Sequence, residues 1–415
     1  MVRAAFILDC GGPSGEVNNM VEEIRLAFLG FGSANRALAR MLMARSQSGP
    51  DGDHRLHLSV PVGHHGHTRL VPWRAVMIAT RRHGILAPPL EDSADEHWDL
   101  DLTAALDRVE SGNTLDDLPF SSMGEDELSR VTDIHLGKRG KDSPNILVEA
   151  IPSNPRGDGE PVISIIRSAL TYKLNVVSAN KTPLAHRSVD GGEVYWELQE
   201  LAAANNVQYL HESSLMDGVP IFSLWKTMPH ARLRQVRGCL NSTTTVIISR
   251  MEGELDDPSS QGESFEQALQ YAKDIGIVEA DSSLDIDGFD GAVKLRALLV
   301  VMSNVNESVP SLDEIDMESI RHITVEEIRR AYSDGKRKYR VVASARLGES
   351  NEWDAAVRLE LIGPSDPLYN LKGSDASCQL WTDCLGPVTV VSTDPTIVDT
   401  AYGLFSDIIR VAGSS

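Results

Sequence analysis

"IRLAFLGFGSANRALARMLMARS", Ile24 to Ser46, decides the fold. An apolar run, Ile24 to Leu29, leads into a glycine turn, and the turn into a segment with Leu38, Leu42 and Met43 at helical spacing. Strand, glycine turn and amphipathic helix in that order read as the opening of a dinucleotide-binding fold. There the amides at the helix N-terminus receive a pyrophosphate. Gly30 and Gly32 fit the G-x-G-x-x-G pattern, and Asn35 stands at its third glycine. Gly30, Gly32, Ser33, Ala34 and Asn35 are therefore candidate cofactor residues. Any tight strand-to-helix turn is the alternative.

Outward from this segment, the next strand signal is "WRAVMIATRRHG", Trp73 to Gly84. Arg81 and Arg82 follow Thr80, where an NAD-binding fold carries an acidic residue, and the first carboxylate after them is Glu91. Arginine there suits a 2′-phosphate, which favours NADP and leaves NAD open. Residues 46–70 between the two strands are rich in Gly, Pro and His and read as a surface loop insertion. His54, His57, His64, His65 and His67 lack Cys or carboxylate companions at metal-site spacing. Residues 87–143 read as a helix plus a long polar excursion.

"NILVEAIPSN", Asn145 to Asn154, is a strong strand stopped by Pro152, and a helix starts at Pro161 with Val162, Ile165, Ile166, Ala169 and Leu170 on one face. "LNVVSANKTPLA", Leu174 to Ala185, is a buried strand ending at Asn180 and Lys181. Strands alternating with helices imply a doubly wound, mostly parallel sheet, with Lys181 at the carboxyl edge where such sheets bind ligands. Ser153, Asn154 and Lys181 join the candidate cofactor residues at the same edge.

Composition sets the outer limits. The chain has 415 residues, 41% hydrophobic and 24% charged, enough for two or three domains of a soluble globular class. A net charge of −21 argues against a nucleic-acid partner, since a polyanion would be repelled. Cys10, Cys239, Cys378 and Cys384 show no C-x-x-C spacing, as expected of a reducing compartment. No apolar run reaches the roughly 18 residues of a membrane span, and the start is too weakly apolar for a signal peptide. A cytoplasmic enzyme is the expectation.

A second chemistry-bearing stretch runs from Val278 to Val300: Glu279, Asp281, Asp285, Asp287 and Asp290 precede Lys294 and an apolar helix. Asp290 and Lys294 lie four apart and share a helix face if the helix begins near Asp287. Asp287 reads as its N-cap and Asp281 as solvated surface. A helix cap with an i,i+4 salt bridge is the alternative for the whole cluster.

With "VEAIPSNP", "VVSANKTPLA", "HESSLMDGVPI", "GCLNSTTT", "IVEADSSLDIDGFDGAVK" and "TAYGLFSDII" in this order, the chain resembles the homoserine dehydrogenase family from about Ile24 to Gly413. The resemblance implies a Rossmann-type domain (1–181) and an α/β catalytic and dimerisation domain with a mixed sheet (182–385). A last segment (386–415) returns to the first domain, with a helix from Thr396 to Val411. It implies reduction of L-aspartate 4-semialdehyde to L-homoserine with NAD(P)H, the reverse oxidation, and a homodimer. Glu279, Asp285, Asp290 and Lys294 would line the substrate pocket, and Lys181 would exchange the proton at the reacting centre. The chemistry agrees: a zwitterionic substrate needs both charges, and an aldehyde oxygen receiving hydride needs a proton donor. Burial beside Lys294 is expected to lower the pKa of Lys181.

The resemblance also places a sodium-like ion at Glu212, Leu215, Asp217 and Val219, held mostly by backbone carbonyls. Cys239 stands where an apolar residue is usual and reads as core. The departures are Asn35, the Ser242, Thr245 and Val246 substitutions, and Asp394–Pro395 where the family has a small, flexible loop near the nicotinamide. Longer members carry a regulatory amino-acid-binding domain; none is expected here, nor feedback by threonine through one. Two other readings stay open: an oxidoreductase of a related amino-acid semialdehyde or hydroxy acid, and a non-catalytic NADP-binding regulator.

Overall fold

Strand β1 (Ile24–Leu29) is buried at five of its six positions, which only a strand inside a sheet covered on both faces can be. The computed structural model describes residues 22–50, 53–62, 67–87, 100–115, 125–137, 142–257, 259–278 and 282–413. Around β1 lie β2 (Gln47–Ser48), β3 (Leu56–Val62), β4 (His67–Thr80), β5 (Gly84–Leu86), β6 (Ile146–Glu149), β7 (Asn175–Ser178) and β8 (Tyr209–Leu210). Their order is β2-β3-β4-β1-β6-β7-β8, with β5 on β4. From β4 to β8 every step is parallel, while β2, β3 and β5 pair antiparallel. The parallel strands run the same way, so Gly30, Ala150 and Ala179, the residues after β1, β6 and β7, share one edge.

Helices α1 (Ser33–Ala44), α2 (Leu102–Glu110), α3 (Glu125–Leu136), α4 (Val162–Thr171), α5 (Thr182–Ala185) and α6 (Val194–Ala204) flank this sheet. Leu38 and Leu42 of α1 bury against Ile24, Leu26 and Phe28 on one face; the core on the opposite face holds Ala27, Leu29, Ile165 and Ile166. Helices α7 (Ile221–Lys226), α8 (Ser242–Glu252), α9 (Phe265–Asp274), α10 (Ser283–Ile286), α11 (Phe289–Met302) and α12 (Val325–Ser333) belong to the following part of the chain. Ten of the fourteen residues of α11 are buried, so it is a core helix apolar nearly all round.

The second sheet comprises β9 (Leu233–Cys239), β10 (Asp316–Met317), β11 (Lys338–Leu347), β12 (Trp353–Ile362), β13 (Ala376–Thr382) and β14 (Val388–Ser392), in the order β10-β12-β11-β9-β13-β14. It is mixed: β10 pairs parallel and the rest antiparallel. One face packs α8 and α11 through Ile247, Met251, Leu295 and Leu299. The last helix, α13 (Ile397–Gly413), turns back to α1, burying Ala401, Leu404, Ile408 and Val411 in the first sheet's core. At about 1.5–3 kcal/mol for each large apolar side chain buried, that stripe suffices to seat the helix there.

Three local expectations are corrected. Among the described residues of 46–70, strands replace the expected loop: β3 and β4 make an antiparallel ladder from His57–Pro72 to Val62–His67, and His57 is buried. Hydrogen bonding carries the first sheet past residue 181, because β8 completes the open edge of β7. It also carries the second sheet past 385, because β14 pairs with β13. Cys239 and Cys378 are buried free thiols and Cys384 an exposed one; Cys10, His64, His65 and Glu91 lie outside the described residues. No helix among the described residues is long and apolar enough to cross a membrane.

Candidate active site

The edge after β6 and β7 carries Lys181, and the N-terminal turn of α11 carries Asp290 opposite it. Gly288, at φ 82°, caps α11 in the left-handed conformation that glycine adopts without strain. Asp287 is therefore not the N-cap: its carboxylate accepts from Ser319 and pairs with Arg321 at 3.0 Å. Asp290 in the first turn also gains from the positive end of the helix dipole.

Asp290 is the hub. Its Oδ1 lies 2.6 Å from Lys181 Nζ and its Oδ2 3.0 Å from Lys294 Nζ, one helical turn on. Lys294 Nζ also donates to the Leu240 carbonyl at 2.8 Å. Burial works against ionised Asp290, yet the two lysines hold its pKa far below the usual carboxylate range. Burial likewise opposes the charge on Lys294, but Asp290 and Asp217 raise its pKa above the ordinary lysine value. The carboxylate of Asp290 stands between the two ammonium groups.

Asn241, the N-cap of α8, donates from Nδ2 to Asp285 Oδ1 at 2.7 Å and to Asp290 Oδ2 at 2.8 Å, while its Oδ1 accepts from the Thr244 amide. Desolvation, with Asp290 adding to it, raises the pKa of Asp285 despite the Asn241 bond. Behind Lys181 the fully buried Glu149 accepts from Ser178 Oγ at 2.5 Å, the Ile151 amide at 2.9 Å and Asn180 Nδ2 at 3.3 Å. Asn180 Oδ1 accepts from the Thr182 amide, and the Thr182 hydroxyl meets that of Ser153 at 2.7 Å. Lys181 thus projects from a backbone braced on both sides. Sequence reasoning missed Asn241 and Glu149. A lone carboxylate at the end of an apolar strand was the available signal for Glu149; Asn241 offered none beyond its cap.

These groups line a cavity of about 640 Å³ bounded by Lys181, Asp217, Asn241, Asp285, Asp290 and Lys294, with Ser153, Ser242, Thr243 and Pro395 to Ile397 on its rim. Glu279 and Asp281 lie outside the described residues. Ser242 reaches the cavity, whereas Thr245 and Val246 are buried in α8 and do not line it. Asp394, at φ 49°, donates its amide to Asp375, and Pro395 and Thr396 line the cavity. Cys239 is buried and its thiol is pushed up to about 12 by burial, so it supplies no thiolate near neutral pH.

A second cavity, about 610 Å³, opens over the N-terminus of α1. Gly30, Gly32, Ser33, Ala34, Arg81, Arg82 and Asn154 line it. Gly30 sits at φ 77°, where a Cβ would lie 2.6 Å from the Ala150 carbonyl oxygen; a Cβ at Gly32 would meet nothing within 4 Å. No side chain caps α1, so its first amides face the cleft. Asn35 does not line it: buried, it donates from Nδ2 to the Gly30 carbonyl at 2.6 Å and ties the turn together. An open glycine cradle, uncapped amides and two arginines beyond β4 fit a phosphorylated dinucleotide.

At Glu212, Leu215, Asp217 and Val219, where a cation held mostly by backbone carbonyls is implied, the Glu212 side chain is engaged by the protein itself. Its oxygens accept from the Phe222 amide at 2.8 Å, the Ser223 amide at 3.1 Å, the Ser223 hydroxyl, and Arg410 Nη1 at 3.0 Å. No group of three His, Cys, Asp or Glu residues among the described residues could hold a metal ion.

The homoserine dehydrogenase family model matches residues 220–409. The NAD(+)-dependent homoserine dehydrogenase of Pseudomonas canavaninivorans is 27% identical over 395 residues, 95% of this chain and 97% of that protein. The homoserine dehydrogenase of Methanocaldococcus jannaschii is 32% identical over 272 residues, 65% of this chain and 74% of that one. In fold, the chain matches the homoserine dehydrogenase of Thermoplasma acidophilum with a TM-score of 0.67 at 19% identity, over 94% of this chain and all of that one. It matches a hyperthermophilic archaeal homoserine dehydrogenase in complex with NADPH at 0.66 and 24%, over 94% and 97%. The chain belongs to the homoserine dehydrogenase family.

Proposed function

We propose that this chain interconverts L-aspartate 4-semialdehyde and L-homoserine with a nicotinamide cofactor, in the aspartate-derived route to threonine, methionine and isoleucine. The observation that carries the reading is Asp290 between Lys181 and Lys294, with Asp285 tied to it through Asn241. When bound over Gly30 and Gly32, the cofactor supplies or accepts the hydride. Lys181 hands its proton to the substrate oxygen as negative charge develops there, and recovers it in the reverse direction. Asp290 holds that ammonium in place at 2.6 Å. Asp285, with Glu279, receives the substrate ammonium, and Lys294 contributes positive charge for the substrate carboxylate. The Glu149 network keeps the Lys181 backbone fixed, so that the proton meets the oxygen in one geometry.

Arg81 and Arg82, with no carboxylate among residues 80–83, favour NADP over NAD. Two readings beyond the site are adopted with it. The chain acts in the cytoplasm, in keeping with its free thiols, and as a homodimer, in keeping with the partly exposed edge strand β14. The test is NADPH oxidation with L-aspartate 4-semialdehyde against succinate semialdehyde, which lacks the ammonium group. The reading predicts turnover of the first and loss of about 10²-fold or more in kcat/KM for the second, on the scale of a buried charge pair left half-empty. Equal turnover of both would refute the role of Asp285 and favour a different semialdehyde as substrate.

A further inference from the structure

The loop from Glu212 to Val219 and the terminal helix α13 meet in a second charged cluster beside the active-site cavity, which Asp217 and Thr400 line. Two buried carboxyl groups lie together there. Glu212, 3% exposed, and Asp407, 1% exposed, both reach Arg410 Nη1 at 3.0 Å, and Asp407 accepts the Glu212 amide at 2.8 Å. Two carboxyl groups out of water require a compensating positive charge, and a guanidinium fork fixed by two acceptors provides it. Close packing holds the parts together: a Cβ at Gly218 would lie 2.5 Å from the Asp399 carbonyl oxygen, so the loop backbone rests directly on α13.

The Glu212 carboxylate is not available to a sodium-like ion. The Glu212 oxygens are spent on two amides, a hydroxyl and Arg410. The Val219 carbonyl already accepts the Ile221 amide at 2.6 Å, and that of Leu215 the Gly218 amide at 3.3 Å. A cation brought to these oxygens would share the carboxylate with a fixed guanidinium and be repelled by it.

We propose that Arg410 is a built-in counter-ion that takes the place of a monovalent cation at this loop, so that the folded enzyme needs neither sodium nor potassium. Thermal unfolding of the full chain in NaCl, KCl and choline chloride at equal ionic strength tests this without reference to activity, and so independently of the proposed reaction. The expected result is one Tm in all three salts for the wild type and for Arg410→Lys, which keeps the charge. Arg410→Gln should melt lower in choline chloride and recover part of the loss in NaCl. A wild-type Tm that rises saturably with sodium or potassium over choline overturns the proposal, as does an Arg410→Gln protein matching the wild type in every salt. The wild-type comparison decides alone if Arg410→Gln does not fold.

Discussion

Replacing Asp290 by Asn leaves size and shape intact and removes one charge. Asp290 Oδ1 then no longer pairs with Lys181 at 2.6 Å, nor Oδ2 with Lys294 at 3.0 Å, and Asn241 faces an amide across 2.8 Å. Breaking a buried pair costs about 3–5 kcal/mol. Both lysines keep about a fifth of their side-chain surface in water, so roughly 2–4 kcal/mol of stability is the expected loss. The catalytic effect is larger in kind, because two ammonium groups now face each other with no carboxylate between them. The Lys181 ammonium then loses its fixed position. The rate of aldehyde reduction should fall by about 10²–10⁴-fold, as for a displaced general acid. Stopped-flow NADPH oxidation across pH, with urea unfolding of the same protein, reads both quantities. Reduction within threefold of the wild type at every pH would refute the reasoning, since the hub would then hold nothing that the reaction uses.

The other expectations are narrower. Asp285→Asn should raise KM for the amino-aldehyde about tenfold or more while changing kcat less; it should also remove an acid-side fall in kcat/KM that, because burial raises the Asp285 pKa, begins at higher pH than for an ordinary Asp. Initial rates over a pH series check both. Burial lifts the Asp407 pKa from 3.8 to about 7, so its contribution to stability is full below 3.8 and lost as pH rises through about 7. Wild-type stability relative to Asp407→Asn should therefore decline over that window by up to about 4 kcal/mol, read from denaturant midpoints. Gly30→Ala forces a Cβ to within 2.6 Å of the Ala150 carbonyl at φ 77°, and should weaken NADPH binding in a fluorescence titration by about 1–3 kcal/mol.

Periodic and local signals were legible before any coordinates. The β1–α1 turn could be read because an apolar run meeting G-x-G leaves few alternatives, and the shared helix face of Asp290 and Lys294 because four residues make about one helical turn; their place in a substrate pocket came from the family resemblance. The β3–β4 hairpin was not legible. Pro61, Gly63 and the histidines hide the inward alternation of Leu58 and Val60, and strand formation there depends on a partner edge offered by β4. Asp287 was misjudged because a glycine in the left-handed conformation displaced it as cap. Asn241 reaches carboxylates 44 and 49 residues away, and Glu149 braces groups 29 and 31 residues on. Contacts of that span are set by strand pairing, which puts Glu149 opposite Ser178, and by the packing of α10 on α8, and no local pattern encodes either.

Lys181 moves the proton in this account, and it does not line the cavity over Gly30 and Gly32. Lys181→Met tests this most directly, with NADPH affinity and single-turnover reduction of L-aspartate 4-semialdehyde measured on one preparation. The account predicts affinity near the wild-type value and turnover down by about 10²-fold or more. Turnover unchanged by the substitution would contradict it.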